Sequence, residues 1–227
     1  MNEDVWLVVP LYNEAAVIGD VVSHARRTFP NVVCVDDGSK DDSARRALAA
    51  GARLVQHPIN MGQGAALQTG FEFAVTDPGM RYVVTFDADG QHQVDDVLQM
   101  LDRIRRDDLD VVFGSRFLDE RTRPSALKRL VLRAAVAYTN LSTGTRLTDA
   151  HNGLRVLSRP VVERIDLTQN RMAHASEIVA QIGAMRLDGR PARYAEEPVH
   201  ILYTDYSLAK GQSLWNSVNI LVELMFK

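Results

Sequence analysis

The sequence predicts an α/β protein with a mostly parallel sheet flanked by helices. Three observations carry that expectation. Short β-branched runs alternate with helical patterns through the first half of the chain. The runs are continuously apolar, as strands buried on both faces require. Polar, acid-rich clusters follow the runs directly, at the carboxyl ends where such sheets bind their ligands.

Taken in order, Val5–Val9 reads as the first strand, followed by a helix near Glu14–Thr28 with Asn13 as its cap. Val32–Val35 is the second strand and runs into Asp36-Asp37-Gly38-Ser39. A helix from about Asp41 to Ala50 comes next, closed by Gly51, because glycine takes the left-handed conformation that ends helices. Arg53–Gln56 is a short strand, and Gly64–Val75 a helix stopped by Asp77-Pro78-Gly79. Tyr82–Phe86 is a strand ending in Asp87-Ala88-Asp89-Gly90; Val94–Arg106 is a helix and Asp110–Gly114 a strand. The second half is less regular. Ala126–Leu141 reads as a helix, Thr148–Arg155 as a polar loop, Ala173–Leu187 as a helix and Tyr194–Leu202 as extended chain. Leu214–Phe226 is a terminal amphipathic helix with a wide apolar face, suited to the core, a second subunit or a membrane surface.

A length of 227 residues fits one large domain, or a domain with an appendage. With 26 basic against 29 acidic residues the net charge is −3, which argues against a nucleic-acid-coating protein. The single cysteine, Cys34, excludes an intrachain disulfide and a cysteine zinc cluster, and its apolar setting marks it as a buried small residue. The N-terminal MNEDVWLVVP has no basic n-region, and no stretch reaches the roughly 18 apolar residues of a membrane span. A soluble cytoplasmic protein is expected.

Three acidic clusters at strand ends would repel one another unless a cation or a donor-rich ligand lay between them. Asp87-Ala88-Asp89 carries the sharpest chemistry. On extended backbone alternate side chains share a side, so Asp87 and Asp89 can hold one hard divalent cation together with phosphate oxygens, with Gln91 as a neutral oxygen ligand. A solvated turn is the plain alternative. Asp36-Asp37 reads either as a turn and helix cap or as acceptors for a base N–H and ribose hydroxyls. Asn60 to Ala66, with Gly62 and Gly64, reads either as a simple helix start or as a turn aiming N–H groups at an anion. It is neither a Walker loop nor G-x-G-x-x-G. His92, His151 and His174 lack a repeated ligand spacing and read as hydrogen-bonding loop or cap residues.

Taken together, Val9-Pro10-Leu11-Tyr12-Asn13-Glu14, Val35 to Asp41, Asn60 to Ala66, Asp87-Ala88-Asp89-Gly90-Gln91-His92 and Gly114-Ser115-Arg116 resemble the ordered motifs of family 2 glycosyltransferases. Within that family the chain is most similar to the dolichyl-phosphate mannose synthase and polyprenyl-phosphate glycosyltransferase branch, over about residues 5–210. Asp149 to Arg155 resembles the branch's acidic-to-G-F-R segment, with Leu154 for phenylalanine; Glu196-Glu197-Pro198-Val199 resembles its late E-x-P strand, and Tyr206 to Ser213 the loop before its last helix.

The resemblance implies a GT-A fold, a nucleotide-diphosphate sugar donor, Mg2+ or Mn2+, inversion at the anomeric carbon and a polyprenyl phosphate acceptor. A glycan or small-molecule hydroxyl acceptor and a non-catalytic nucleotide-binding protein are the alternatives. Carried over by motif, Pro10, Tyr12, Glu14, Asp36 and Asp37 would surround the base and ribose. Gln63, Asp87, Ala88 and Asp89 complete the donor side, with Asp87, Asp89 and Gln91 on the metal. Asp89, Arg116 and Asp149 are the catalytic candidates; Arg116, Arg133, Arg155 and Lys210 are the acceptor-binding ones. A hydroxyl acceptor would need a carboxylate base, Asp149 or Glu177, although Asp149 reads equally as an N-cap or a salt-bridge partner of Arg155. Lys128 and Arg129 are further cations on the helix at 126–141. Two departures stand out: Gln63 replaces a frequent lysine or arginine, and the Q-x-x-R-W of processive polysaccharide synthases is absent. The implied division is a glycosyltransferase domain over 1–205, its nucleotide-sugar half at 1–115 and acceptor half at 116–205, then a loop and helix at 206–227. A lipid acceptor would place the protein at the inner face of a membrane, touching it peripherally or pairing as a homo-oligomer through that helix.

Overall fold

The computed structural model describes residues 2–118, 136, 140, 141, 143–150 and 152–202. Nine strands and six helices are described: β1 (Val5–Leu11), α1 (Ile18–Arg26), β2 (Asn31–Asp36), α2 (Ser43–Ala49), β3 (Arg53–Gln56), α3 (Gln63–Val75), β4 (Tyr82–Thr85), α4 (Val94–Arg106), β5 (Val111–Ser115), β6 (Arg155–Ser158), α5 (Arg159–Val162), α6 (His174–Ala184), β7 (Arg186–Leu187), β8 (Arg190–Pro191) and β9 (Tyr194–Pro198). Seven strands form one sheet in the order β3-β2-β1-β4-β6-β5-β9, and β7 pairs with β8 in a small hairpin. Only β6 runs antiparallel in the large sheet, between β4 and β5.

The alternation of β1 divides the core. Val5, Leu7, Val9 and Leu11 face α1, α2 and α4, packing with Ile18, Val22, Ala47, Val97 and Leu101. Trp6 and Val8 face α3 and α6, packing with Leu67, Phe71, Ile178 and Ile182. A slip of one residue would exchange the two sets, and each buried aliphatic or aromatic side chain is worth about 1.5–3 kcal/mol, so the register is strongly determined.

The departures from the expected elements have local causes. The first helix begins at Ile18, not Glu14, and Asn13 does not cap it. Asn13 is in the left-handed region (φ 53°), its Oδ1 accepting the Lys40 N–H at 2.8 Å while its own N–H donates to Ser39 Oγ at 2.9 Å. It ties two ligand loops together instead. Asp41 accepts the Ser43 N–H at 3.0 Å, so α2 starts at Ser43, and it ends with Gly51 at φ 93° as expected. The expected loop at 148–155 ends in a strand, because Arg155 begins β6 between Thr85 and Phe113. The sixth helix stops at Ala184, and Arg186–Leu187 turn back into the hairpin. Of the helix expected at 126–141, only Val136, Asn140 and Leu141 are described, and all three are helical; the helix expected at 214–226 lies outside the described residues. Among the described residues no helix is long and apolar enough to cross a membrane. Cys34 is buried, and burial first, then the Asp36 charge, pushes its thiol up to about 12, so it is unreactive.

One buried carboxylate locks the hairpin to the sheet. Asp110, just before β5, accepts Arg190 Nη1 at 2.6 Å, Arg190 Nη2 at 3.0 Å and the Arg193 N–H at 2.6 Å. Burial alone would raise its pKa, but these hydrogen bonds and the two arginine charges hold it below 3.8. A depressed carboxylate contributes stability above its unfolded pKa and loses it as pH falls through the folded one. Asp110→Ala is therefore expected to cost roughly 1–3 kcal/mol at pH 7, with the gap to the wild type closing in urea melts below about pH 3.

Candidate active site

The chain leaves β1 toward β2 and β3, then crosses back through α3 to β4 on the other side of β1. A crevice must open where the winding reverses, beyond the carboxyl ends of β1 and β4. A cavity of about 520 Å³ lies there. Pro10, Tyr12, Glu14, Asp37, Gln63, Asp87, Ala88, Asp89, Gln91, Arg116 and Arg155 all line it. Asp36 and Asp149 stand behind that lining, and Arg133, Lys210, Lys128, Arg129 and His151 lie outside the described residues.

The carboxylates after β4 dominate its electrostatics. The Asp87 N–H donates to His92 Nδ1 at 3.0 Å, which assigns the imidazole proton to Nε2, 3.4 Å from Asp87 Oδ2. His92 is thus a neutral clamp, and its pKa is lowered by burial, against the pull of Asp87. Asp87 Oδ1 also accepts Gln63 Nε2 at 3.3 Å. Asp89 Oδ1 accepts the Gln91 N–H at 3.0 Å. Burial, then Asp87 and Glu14, raise Asp89 to about 6. Two hard carboxylates with an amide oxygen close by suit an oxygen-preferring divalent ion. Among the described residues no three His, Cys, Asp or Glu side chains are grouped for a metal, so further ligands would have to come from substrate and water.

The second acidic cluster is already engaged. Asp37 accepts His57 Nδ1 and the Met61 N–H at 2.8 Å, and the Gly62 N–H at 2.7 Å. His57 in turn reaches Thr69 Oγ1 at 3.0 Å. Asp36 accepts the Ser39 N–H at 3.2 Å and Gln56 Nε2 at 3.3 Å. These aspartates shape the loops, and only Asp37 reaches the cavity.

The glycines around Gln63 serve a purpose that neither reading of the sequence contains. The Gly64 N–H donates to the Asn170 carbonyl at 2.8 Å. A Cβ at Gly64 would lie 2.1 Å from the Gln169 carbonyl oxygen, and one at Gly62 2.2 Å from that of Asn170. The start of α3 thus receives a protein carbonyl, and the contact seats residues 169–172 at the cavity rim. This brings in Arg171 and Met172, which the sequence reading missed, and His174, which it read as a hydrogen-bonding loop or cap residue. His174 is buried with Nδ1 2.7 Å from the Arg171 carbonyl oxygen, and burial lowers its pKa. The tight Gly-Gln-Gly spacing was the available signal, but its partner lies about a hundred residues downstream.

Opposite the carboxylates stand cations. Arg116 Nε and Nη2 donate to Asp149 Oδ2 and Oδ1 at 2.6 and 2.8 Å, and its backbone N–H donates to Oδ2 at 3.1 Å. Asp149 therefore pairs with Arg116, where the sequence reading had considered Arg155. Glu196 holds this turn, accepting the Thr148 and Asp149 N–H groups at 2.8 and 3.0 Å. Glu177 accepts from Thr168 and Gln169 and is not part of the cavity wall.

A family model described as glycosyl transferase family 2 matches residues 6–166. The chain belongs to that family. It is 29% identical over 249 residues to a UDP-N-acetylglucosamine–dolichyl-phosphate N-acetylglucosaminyltransferase of Methanococcus voltae, covering 97% of this chain and 94% of that protein. It is 33% identical over 172 residues to a polyprenol monophosphomannose synthase of Mycolicibacterium smegmatis, covering 71% and 64%. Among solved structures, glucosyl-3-phosphoglycerate synthase of Mycobacterium tuberculosis with Mg2+ and uridine diphosphate superposes with a TM-score of 0.70 at 19% identity, covering 99% of this chain and 79% of that one. The fold is therefore GT-A, and the protein is a glycosyltransferase.

Two outcomes test this geometry. Because Asp89 is raised from 3.8 to about 6, folding stability falls as pH rises between those values, by at most about 3 kcal/mol. Asp89→Asn should then be more stable than the wild type at pH 7 in metal-free melts, and equal to it below about pH 4. Gly64→Ala should lose about 1–3 kcal/mol through overpacking against Gln169, and crystallography of the variant should find residues 169–172 displaced from the cavity.

Proposed function

We propose that this glycosyltransferase moves a sugar, with inversion, from a nucleotide-diphosphate donor to the phosphate of a polyprenyl monophosphate, and that it uses Mg2+ or Mn2+. The observation that carries the acceptor reading is the fate of the carboxylates on the acceptor side. Asp149 has both oxygens on Arg116, and Glu177 is consumed by residues 168–169. A hydroxyl nucleophile needs a base with a lone pair to spare. A phosphate monoester does not, since its second pKa near 6 leaves it largely ionised at neutral pH; it needs positioning cations instead. Arg116, oriented as a fork by Asp149, is such a cation. The names of the relatives from Methanococcus voltae and Mycolicibacterium smegmatis, with a dolichyl-phosphate hexose transferase of Haloferax volcanii, support the same acceptor class.

On the donor side Asp87, Asp89 and the Gln91 amide oxygen would hold the divalent ion. When bound, it supplies positive charge against that developing on the leaving nucleotide diphosphate. His92 and Gln63 hold Asp87 in place for that task. Pro10, Tyr12 and Glu14, with Asp37 behind the α3 turn, form the wall for base and ribose. Arg116 aims the acceptor phosphate at the anomeric carbon from the side opposite the diphosphate. Arg133 and Lys210 belong to the same proposal as acceptor-side cations. A lipid acceptor also places the reaction at a membrane surface.

A screen of nucleotide sugars with MnCl2 and a short-chain polyprenyl monophosphate tests the reading. The expected product is a lipid-linked sugar, lost in excess chelator and reduced at least 100-fold by Asp89→Ala in protein that still melts cooperatively. Undiminished transfer in chelator, or transfer to glycan hydroxyls alone, would contradict it.

A further inference from the structure

Between the two walls the cavity floor carries buried donors that lack partners. Arg155 is 1% exposed and lines the cavity, yet among the described residues its Nε and Nη2 have no hydrogen-bond partner. Asn152, three residues earlier, is also buried and cavity-lining, and its Nδ2 is likewise unpartnered. All three orphaned atoms carry N–H groups and none is an acceptor. Leaving such donors dry is costly, and for a charged group more so.

Nothing suggests that they are loose. Asn152 Oδ1 accepts the Leu154 N–H at 2.9 Å, which fixes the amide and leaves Nδ2 as the free end. The Gly153 carbonyl accepts the Thr85 hydroxyl at 2.5 Å. A Cβ on Gly153 would lie 2.8 Å from Asp87 Oδ2, so the segment passes directly beneath that carboxylate. Arg155 is held in register with Thr85 on one side and Phe113 on the other. The donors therefore sit between Asp87 at the end of β4 and Arg116 after β5. Burial lowers the Arg155 pKa to about 10, opposed by Asp87 and Asp149, so the guanidinium remains charged at neutral pH.

We propose that Asn152 Nδ2 and the Arg155 guanidinium form an oxyanion subsite that receives a phosphate oxygen of a bound substrate. The subsite is preorganised: rigid, buried donors await an acceptor that the described residues do not provide. Phosphate oxygens from two sources meet that description, the diphosphate of a nucleotide and the monophosphate of an alkyl or polyprenyl chain. The inference deepens the glycosyl-transfer reading, on which its choice of substrates rests, but phosphate binding can be measured without any transfer.

The test uses the full chain and calorimetric titration with UDP, GDP and farnesyl monophosphate, each with and without MgCl2. Arg155→Met keeps bulk and removes charge. Asn152→Asp keeps the acceptor for the Leu154 N–H and removes the free donor. At least a tenfold loss of affinity is expected in both variants, for the nucleotides if the donor occupies the subsite and for farnesyl phosphate if the acceptor does. Ligand-free Arg155→Met should melt no lower than the wild type, because buried N–H donors without partners have been removed, whereas a merely structural arginine would melt lower. Should Arg155→Met fail to fold, Asn152→Asp decides by the same tenfold criterion. Wild-type affinity in the folded variants, or no binding of any probe by the wild type, would overturn the subsite. Sugar transfer by a wild type whose variants bind normally refutes the subsite alone. Tenfold losses in the variants, with a wild type that transfers no sugar, refute the transfer reading alone.

Discussion

Charge placement at the end of β4 is the constraint on which the site depends. Asp87 and Asp89 leave the sheet on a short turn, within reach of Glu14, and burial together with that repulsion raises Asp89 to about 6. Such a pair costs stability, whereas Asp37 and Asp149 beside it are tied fully into the scaffold. Asp37 is spent on the turn into α3 and Asp149 on Arg116. What remains unbalanced is one acidic wall, and the complement we propose for it is a doubly charged ion with a diphosphate.

The scaffold serves that wall by holding its surroundings rigid. His92 clamps Asp87 from below as a neutral ring, adding no charge of its own. The glycine-flanked start of α3 admits the backbone of residues 169–170, and with it the rim that carries Arg171 and Met172. The antiparallel strand β6 inserts Arg155 between the donor and acceptor sides. Arg155 thereby feels the charges of both Asp87 and Asp149, while Arg116 is held by Asp149 at the cavity wall. In the proposed reaction the donor's diphosphate, with its metal ion, would meet the acidic wall and the acceptor's phosphate the arginine wall.

The first half of this arrangement was legible in the sequence. Continuous apolar strands and period-matched helices gave β1 to β5 and α1 to α4 within a few residues, because local pattern and burial agree there. The acidic motifs converge on one edge because β1, β2 and β4 run parallel and end there together. What was not legible depends on distant partners. Asn13 looks like a helix cap but is drawn to the loop after β2. Arg155 interrupts an apolar run, which disguises β6 as a loop. Asp149 offers no local sign that it pairs with Arg116 and not Arg155. The glycines at 62 and 64 announce a close approach but not of what, since the backbone they accommodate is about a hundred residues away.

The most direct measurement of the central claim is electron paramagnetic resonance of Mn2+ titrated into the protein with and without a nucleoside diphosphate. Tight binding of the ion is expected only when the diphosphate is present, with the signal broadened by 17O in its terminal phosphate and absent when Asp87 and Asp89 are both alanine. An ion held equally well by that double variant, or one that never senses the labelled phosphate, would contradict the bridging role of the acidic wall.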